Sequence, residues 1–353
     1  MVMLGIDVHK DTHTTVAVDD VGRQLGQRMV RATDAGHRQL VRWARTRWPG
    51  EPDQRIWAVE DCRHVSGRLE RALLAAGERV VRVPPKLMAR ARDSARTRGK
   101  SDPIDALAIA RAALREPDLP VAEHDEVSRE LKLLVDHRED LVGERTRMQN
   151  RLRWHLHELD PELDVPARGL DRLTVLDWLT GWLAEQPVTV VVRLATELLG
   201  DIHASTLRIN ALEREIAERV AQLASALLAL PGCGALTAAK IVAETANVFR
   251  FRSEACFAMH AGVAPIPASS GRTQRYRLAR GGNRQLNVAL HRIAVTQIRL
   301  PDSLGQVYYQ RRRATGDTAM EALRVLKRRL ARVVFNLLQP TTTTATGHLP
   351  AAA

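Results

Sequence analysis

Cysteine, lysine and aromatic residues are all scarce in this chain of 353 residues. The three cysteines, Cys62, Cys233 and Cys256, stand far apart without a Cys-x-x-Cys pair. This spacing argues against a disulfide framework and against a thiolate zinc site. The histidines show no His-Glu-x-x-His spacing, so a histidine zinc site is not expected either. A reducing cytoplasm is the expected compartment.

Long apolar runs are also missing, since none approaches the roughly 18 residues that a membrane-spanning helix needs. Asp7 interrupts the N-terminus where a signal peptide would have its apolar core. We therefore expect a soluble cytoplasmic protein that is not associated with a membrane. The length predicts two or three domains, and the 45% content of hydrophobic residues is enough to build their cores.

Arginine supplies almost all of the positive charge, because lysine occurs only six times while the net charge is +12. Residues 250–332 contain 17 Lys and Arg against 4 Asp and Glu, so this segment carries the whole excess. The planar guanidinium group suits phosphate oxygens better than the ammonium group of lysine does. The charge distribution therefore predicts that the C-terminal segment binds nucleic acid.

The first 114 residues alternate between strand and helix patterns. β-Prone runs at 2–8, 13–19 and 25–31 predict an antiparallel meander with a turn at 19–22. The patterns that follow are a helix from Thr33 to Trp48, a strand at 55–60, a helix at 65–76, a strand at 79–83 and a helical composition at 84–114. This order predicts an α/β domain built on a mixed sheet.

The middle of the chain is strongly helical. Residues 125–165 carry a coiled-coil-like leucine stripe, 170–186 form a Trp-rich helical insert, and a second apolar stripe runs over 209–227. The two long helices could pair as a hairpin, either in an ordinary bundle or as a dimerisation arm. We interpret the tryptophans as packing residues: Trp43, Trp48, Trp57, Trp154, Trp178 and Trp182. The polar, repetitive tail after residue 338 is expected to be disordered.

Four carboxylates stand at positions that can meet at one edge of the predicted sheet. Asp7 and Glu60 end strands, while Asp102 and Asp105 are three residues apart on one face of a predicted helix. Such a set suits Mg²⁺, and two ions can stabilise both the attacking and the leaving oxygen of a phosphodiester displacement. Each acid alone is also compatible with a structural role, since Asp102 could cap its helix. The combined layout is that of an RNase H-like nuclease.

Three segments closely resemble the DEDD transposases of bacterial insertion sequences, whose N-terminal domain is RuvC-like: GIDVHKD (5–11), AVED (58–61) and RTRGKSDPIDALAIAR (96–111). The resemblance implies that Asp7, Glu60, Asp102 and Asp105 are catalytic and bind two Mg²⁺ ions. After Glu60 the chain reads DCRHVSG, where many relatives have a shorter stretch, so the start of the next helix stays open.

Farther along, LPGCGALTAAKIVAETA (230–246) is typical of a helix-hairpin-helix element, whose glycines and helix start can hold a phosphate. The alternative is a helix–helix turn without a ligand, in which Lys240 is a solvated side chain. The next segment joins a Ser-Ser-Gly turn to five candidate nucleic-acid-binding residues: Arg272, Arg275, Arg277, Arg280 and Arg284. From the residues alone, a loop serine is ordinary. The resemblance implies that Ser270, just before glycine, is the nucleophile, with Ser269 as the fallback.

The resemblance continues through GGNRQLN (281–287), YYQRRR (308–313) and EALRVLKRRLARVV (321–334). The last of these has an apolar stripe, so its arginines either contact phosphate or form a solvated face. The expected domains are a RuvC-like domain at 1–120, a helical coiled-coil arm at 121–228 and a basic, mainly helical serine-bearing domain at 229–338.

The resemblance implies donor and target DNA as substrates, a structured noncoding guide RNA as a partner, and a homo-oligomer, either dimer or tetramer. It also implies a bacterial cytoplasmic protein that is associated with the nucleoid. Strand exchange through a phosphoserine link is the leading hypothesis. Two alternatives stay open. The first is a hydrolytic nuclease of the junction-resolvase kind, in which Ser270 only shapes a turn. The second is an inactive nucleic-acid-binding descendant of such an element.

Overall fold

The computed structural model describes residues 1–60, 63–84, 87–88, 101–116, 119, 121–123, 125–269, 271, 276–279 and 281–339. The chain divides into two compact units. Unit 1 comprises Met1–Asp125 and Ala246–Asn283, and unit 2 comprises Glu126–Thr245 and the residues from Arg284 on. The three domain boundaries expected from the sequence stay a prediction.

Unit 1 is built on a five-stranded sheet with the order β3-β2-β1-β4-β5. The strands are β1 (Val2–Val8), β2 (Thr12–Val18), β3 (Gln24–Arg31), β4 (Arg55–Glu60) and β5 (Arg79–Val83). β1, β2 and β3 pair antiparallel, whereas β4 pairs parallel with β1 and with β5. The Asp19 carboxylate shapes the second turn by accepting hydrogen bonds from the N–H groups of Val21 and Arg23, at 3.1 and 2.7 Å. The predicted meander and mixed sheet are confirmed.

Helices cover both faces of this sheet. α1 (Asp34–Arg47) and α2 (Arg63–Ala75) contribute Leu40 and Leu69 to the core on one face. α3 (Asp102–Arg115) packs on the other face through an alanine-rich surface. Thr33 caps α1 as predicted, since its Oγ1 accepts a hydrogen bond from the Gly36 N–H at 3.2 Å.

The rest of the described chain is mainly helical, as expected. Its helices are α4 (Glu126–Leu159), α5 (Leu173–Ala184), α6 (Val190–Leu223), α7 (Ser225–Leu228), α8 (Ala235–Thr245), α9 (Glu254–His260), α10 (Arg284–Arg299), α11 (Leu304–Ala314) and α12 (Ala319–Leu337). A short antiparallel hairpin, β6 (Pro265–Pro267) and β7 (Tyr276–Leu278), belongs to unit 1 together with α9. None of the described helices is long and apolar enough to cross a membrane.

The two long helices, α4 and α6, pack against each other within the chain. Leu152 and Leu156 of α4 are buried in one cluster with Leu199 and Ile202 of α6. In the two predicted stripes, Leu152 and Leu156 of the first and Ile209 and Ile216 of the second are buried inside the unit. Coiled-coil supercoiling stays a prediction. Two tryptophans are not packing residues: the exposed fraction is 74% for Trp154 and 45% for Trp178. The packing interpretation is wrong for both, although Trp57 is fully buried as predicted.

Lys240 of α8 is buried, so the expectation of a solvated Lys240 side chain is wrong. Its ammonium group forms an ion pair with Glu139 of α4 and donates to the side-chain oxygen of Gln285 at 2.8 Å. A buried lysine needs such partners because an uncompensated charge is costly in the interior. Gly232, in the turn before α8, has the positive φ of 83° that this turn requires. Phosphate binding by a helix-hairpin-helix element stays a prediction.

Candidate active site

β1 presents Asp7 on the side of the sheet that faces α3. Side chains alternate along a strand, and Leu4 and Ile6 belong to the core against α1 and α2. Gly5 and Asp7 therefore project to the opposite side. The exposed fraction of Asp7 is only 6%, and a carboxylate is rarely so buried unless it is paired.

Gly5 allows α3 to approach β1 closely. A Cβ atom at this position would lie 2.2 Å from the Ala106 carbonyl oxygen and 2.4 Å from the Ala110 nitrogen. No side chain larger than hydrogen fits between the two backbones. The approach brings the first turn of α3 next to the carboxyl end of β1.

The first turn of α3 carries both aspartates of the DPID sequence. Ser101 precedes the helix in an extended conformation, and its carbonyl accepts a hydrogen bond from the Asp105 N–H at 3.0 Å. Pro103 suits this first turn because its missing N–H would have no partner there. Asp105 is buried and Asp102 is half-buried. Both predicted helical acids therefore lie at the start of one helix.

His9 joins Asp7 and Asp102 into one cluster. Its Nε2 lies 3.1 Å from an Asp7 carboxylate oxygen and 3.3 Å from an Asp102 carboxylate oxygen. One potential ligand atom from each of the three residues lies within 4.8 Å of the other two. Two carboxylates suit a hard divalent cation, and an imidazole nitrogen adds a donor that Mn²⁺ accepts as well. The donor set fits a divalent metal ion.

The electrostatics of Asp7 favour a bound cation. Burial raises the pKa of its carboxyl group, the neighbouring His9 lowers that pKa, and the Asp105 and Asp102 carboxylates raise it again. Ionisation of Asp7 in this cluster is therefore unfavourable in free energy. A divalent cation would offset that cost by neutralising the carboxylates it contacts.

Glu60 lies at the same end of the sheet. The last registered pair of β1 and β4 is Ile6 with Val59, so Asp7 and Glu60 each follow one residue later. Ala58 packs on the α3 side of the sheet, and strand alternation places half-buried Glu60 on that side as well. Among the described residues, Glu60 and Asp105 are outside the group that lies within 4.8 Å. Their roles stay predictions.

The predicted nucleophile, Ser270, lies outside the described residues, as do Arg272, Arg275 and Arg280. Along the chain it falls between β6 and β7, whose last pair is Pro267 with Tyr276. Ser269 is described and exposed, and it belongs to the same compact unit as Asp7. The other two candidate arginines, Arg277 on β7 and Arg284 at the start of α10, are exposed.

His9 is the residue that reasoning from the sequence missed as a potential ligand. Its signal is the spacing Asp-x-His at the end of a strand. Residues two apart on a strand share a face, so His9 follows Asp7 on the α3 side. A search for the paired histidines of zinc motifs misses His9, because this group of potential ligands combines two carboxylates with one imidazole.

Models of two transposase domains match the chain. Residues 4–161 match the model of the IS110-type DEDD transposases, described as "Transposase". Residues 224–310 match the model described as "Transposase IS116/IS110/IS902 family". A solved structure of T. thermophilus RuvC in complex with a Holliday junction substrate aligns with a TM-score of 0.28 and 17% identity, covering 35% of this chain and 99% of that one.

Curated relatives from insertion elements match almost the whole chain. An uncharacterised 44.8 kDa protein of IS116 from Streptomyces clavuligerus is 30% identical over 96% of this chain and 94% of its own length. An uncharacterised 42 kDa protein of IS900 from Mycobacterium paratuberculosis is 28% identical over 98% of both chains. With both family models matched in order along its length, the chain belongs to the IS116/IS110/IS902 family of insertion-element DNA transposases.

Proposed function

We propose that this transposase cleaves and exchanges DNA strands by means of Asp7, Glu60, Asp102, Asp105 and Ser270. The observation that carries the proposal is the Asp7–His9–Asp102 cluster, whose donor atoms lie within 4.8 Å of one another where α3 meets β1. Bound divalent cations, with two Mg²⁺ ions as our choice, would supply charge neutralisation for the scissile phosphate. His9 is an additional ligand or positions the two aspartates.

Ser270 acts as the nucleophile in this proposal. Its Oγ attacks the scissile phosphorus, the Oγ–P bond forms, and the bond from phosphorus to the leaving DNA oxygen breaks. The hydroxyl proton of Ser270 is removed and the leaving oxygen takes up a proton, so one phosphodiester link replaces another. In the exchange step a DNA hydroxyl attacks the phosphoserine and releases Ser270. Arg277 and Arg284 are proposed to contact the DNA backbone.

A search for a covalent adduct tests the serine step. The protein is incubated with Mg²⁺, end-labelled donor and target DNA, and the noncoding RNA transcribed from the element's flank, and the products are separated under denaturing conditions. We expect labelled DNA to stay attached to the parent protein and to Ser269→Ala, and to be absent from Ser270→Ala. Cleavage without an adduct in all three proteins would contradict the serine step and favour a hydrolytic nuclease.

The guide RNA is part of the proposal because of the resemblance and the arginine-rich C-terminal segment. If base pairing selects the DNA sites, the protein itself needs only to bind backbone and shape. We expect ribonuclease treatment to abolish site-specific exchange, and replacement RNA carrying a new target sequence to redirect it. Unchanged exchange after ribonuclease treatment would remove RNA from the mechanism.

A homo-oligomer, either dimer or tetramer, is proposed because two DNA ends must react together. Since most residues of the two leucine stripes are buried within the chain, the interface would lie elsewhere. Exposed Trp154 in α4 and Trp178 in α5 are candidate contact residues. Light scattering of the protein with RNA and DNA is expected to give a multiple of the monomer mass, and a monomer under both conditions would contradict it.

A further inference from the structure

An open groove of about 1010 Å³ lies beside α1 and the edge strand β3 in unit 1. Its apolar lining comes from Leu25, Trp43 and Trp48, and its cationic lining comes from Arg28, Arg42 and Arg47. None of the described residues that line it is acidic. The groove is on the α1 side of the sheet, whereas the metal-binding cluster is on the α3 side. It is therefore separate from the candidate active site.

The two tryptophans form an aromatic wall. Their ring centroids are 5.1 Å apart and the rings stand edge to face at 86°. Gly26 of β3 leaves room for them, because a Cβ atom there would lie 3.3 Å from the Trp48 ring and 3.5 Å from the Trp43 ring. Both tryptophans are half-buried, so part of each ring surface stays accessible within the groove.

The three groove arginines are exposed, and no ion pair or hydrogen bond joins their side chains to any other described residue. Arg45 on the same helix behaves differently, since it pairs with buried Glu78 at 2.8 Å. Arg79 on the opposite edge strand pairs with Asp53 at 2.5 Å. The groove therefore concentrates uncompensated positive charge beside accessible aromatic rings.

We infer that this groove binds single-stranded DNA. Aromatic rings stack on unpaired bases, and arginines pair with the phosphates between them. A duplex offers its phosphates but keeps its bases stacked inside, so it would leave the tryptophans unused. The volume suits one or two nucleotides in the groove, with the flanking phosphates reaching the arginines.

The single-stranded DNA in this inference rests on the proposed function: cleavage and exchange of DNA would leave DNA strands transiently unpaired. β3 is two strands away from β1 in the sheet, which is roughly 10 Å at the usual strand spacing. Because the groove and the Asp7–His9–Asp102 cluster lie on opposite faces of the sheet, a strand leaving the cluster must also pass around the β3 edge, which adds roughly another 10 Å. Holding the strand in the groove would keep it from pairing again before exchange.

Photo-crosslinking and binding together test this site. A 12-nucleotide oligo-dT carrying one 5-iododeoxyuridine is bound to the full-length protein in EDTA, where no cleavage is needed. We expect the crosslink to map to the peptide that contains Trp43 or Trp48. The double variant Arg42→Ala/Arg47→Ala is expected to bind about 10-fold more weakly and to lower the salt-dependence slope by about 1.4. Trp48→Phe, which keeps an aromatic ring, is expected to lose less affinity than Trp48→Leu.

Arg79→Ala is the matched control, because it removes an exposed strand-edge arginine outside the groove and should bind as the parent does. The inference is overturned if the double variant binds like this control, or if crosslinks map only outside β3 and α1. Tighter, variant-sensitive binding of an oligo-U of the same length would overturn the assignment to DNA. The binding assay needs neither Ser270 nor metal, so its result can be interpreted even if the search for a covalent adduct fails.

Discussion

At the scale of single residues, the proposed metal-binding role of Asp7 and the stability of the fold oppose each other. This carboxylate is 6% exposed and lies near Asp102 and Asp105, which raise its pKa together with burial. Among the groups that shift the pKa of Asp7, only His9 lowers it. A residue that served the fold alone would gain nothing from such surroundings, whereas a metal ligand needs them.

Asp7→Asn should therefore stabilise the metal-free protein, because it removes a buried charge and keeps a similar shape. We expect the melting temperature to rise by roughly 2–4 °C, which corresponds to about 1 kcal/mol. Mn²⁺ should raise the melting temperature of the parent but not that of the variant. Differential scanning fluorimetry measures both effects, with exposed Asp20→Asn as the control. A lower melting temperature for metal-free Asp7→Asn would contradict this interpretation.

The variant His9→Ala tests whether His9 is a ligand of the metal ion. Imidazole is a better donor to Mn²⁺ than to Mg²⁺, which prefers oxygen. We expect the variant to lose about 10-fold or more in Mn²⁺ affinity and less in Mg²⁺ affinity, as measured by titration calorimetry. Equal affinities in parent and variant for both ions would exclude His9 from the metal shell.

At the scale of secondary-structure elements, the site depends on the contact between β1 and α3. Gly5→Ala would place a methyl group 2.2 Å from the Ala106 carbonyl oxygen, so α3 must shift away from Asp7. We expect a loss of about 1–3 kcal/mol in unfolding free energy and a loss of DNA cleavage. Gly67→Ala in α2 is the control, because a Cβ there meets only the flexible end of Arg71 at 3.7 Å. Full cleavage by Gly5→Ala would show that the close approach is dispensable.

A buried histidine pair joins β2 to α1. The Nε2 atoms of His13 and His37 lie 3.2 Å apart and the rings stack with centroids at 5.2 Å. Burial, and then the neighbouring His37, lower the pKa of His13 to about 4, and burial also lowers the pKa of His37. Both rings are thus neutral in the folded protein at neutral pH.

The pair predicts acid sensitivity above the range in which carboxylates titrate. As the pH falls from 6.5 towards 4, the unfolded chain takes up protons on these histidines that the folded chain does not, so stability falls. The loss from His13 alone is on the order of 3 kcal/mol at pH 4. Urea denaturation between pH 7 and pH 4.5 should show a shallower decline for His13→Gln. An identical decline in parent and variant would contradict the assignment.

At the scale of the whole molecule, sequence patterns predicted the elements well and the local geometry poorly. Strand alternation gave β1, β4 and β5 with correct bounds, and the sheet then placed Asp7 and Glu60 at one end. The Asp-x-His spacing indicates that His9 lies beside Asp7, but the contact of His9 with Asp102 and the close approach at Gly5 depend on the packing of α3, which no local pattern encodes. The burial of Lys240 and the exposure of Trp154 likewise depend on which helix packs beside each residue.

The basic C-terminal segment should make nucleic-acid binding strongly salt-dependent. Arg277 and Arg284 are exposed, and removing one arginine–phosphate interaction should reduce the salt slope for duplex DNA by about 0.9. Replacing both with alanine is expected to weaken binding of unrelated DNA sequences equally. Arg193→Ala, whose side chain pairs with Glu197 at 2.9 Å, is the control. An unchanged slope in the double variant would exclude both residues from the DNA-binding surface.

The central claim is that the carboxyl end of β1 and the start of α3 hold the catalytic metal. Crystals of the protein soaked in Mn²⁺ and measured at the manganese absorption edge test it most directly. The account predicts an anomalous peak about 2.0–2.6 Å from carboxylate oxygens of Asp7 and Asp102, and no such peak in Asp7→Asn. A parent crystal with manganese bound only elsewhere would contradict it.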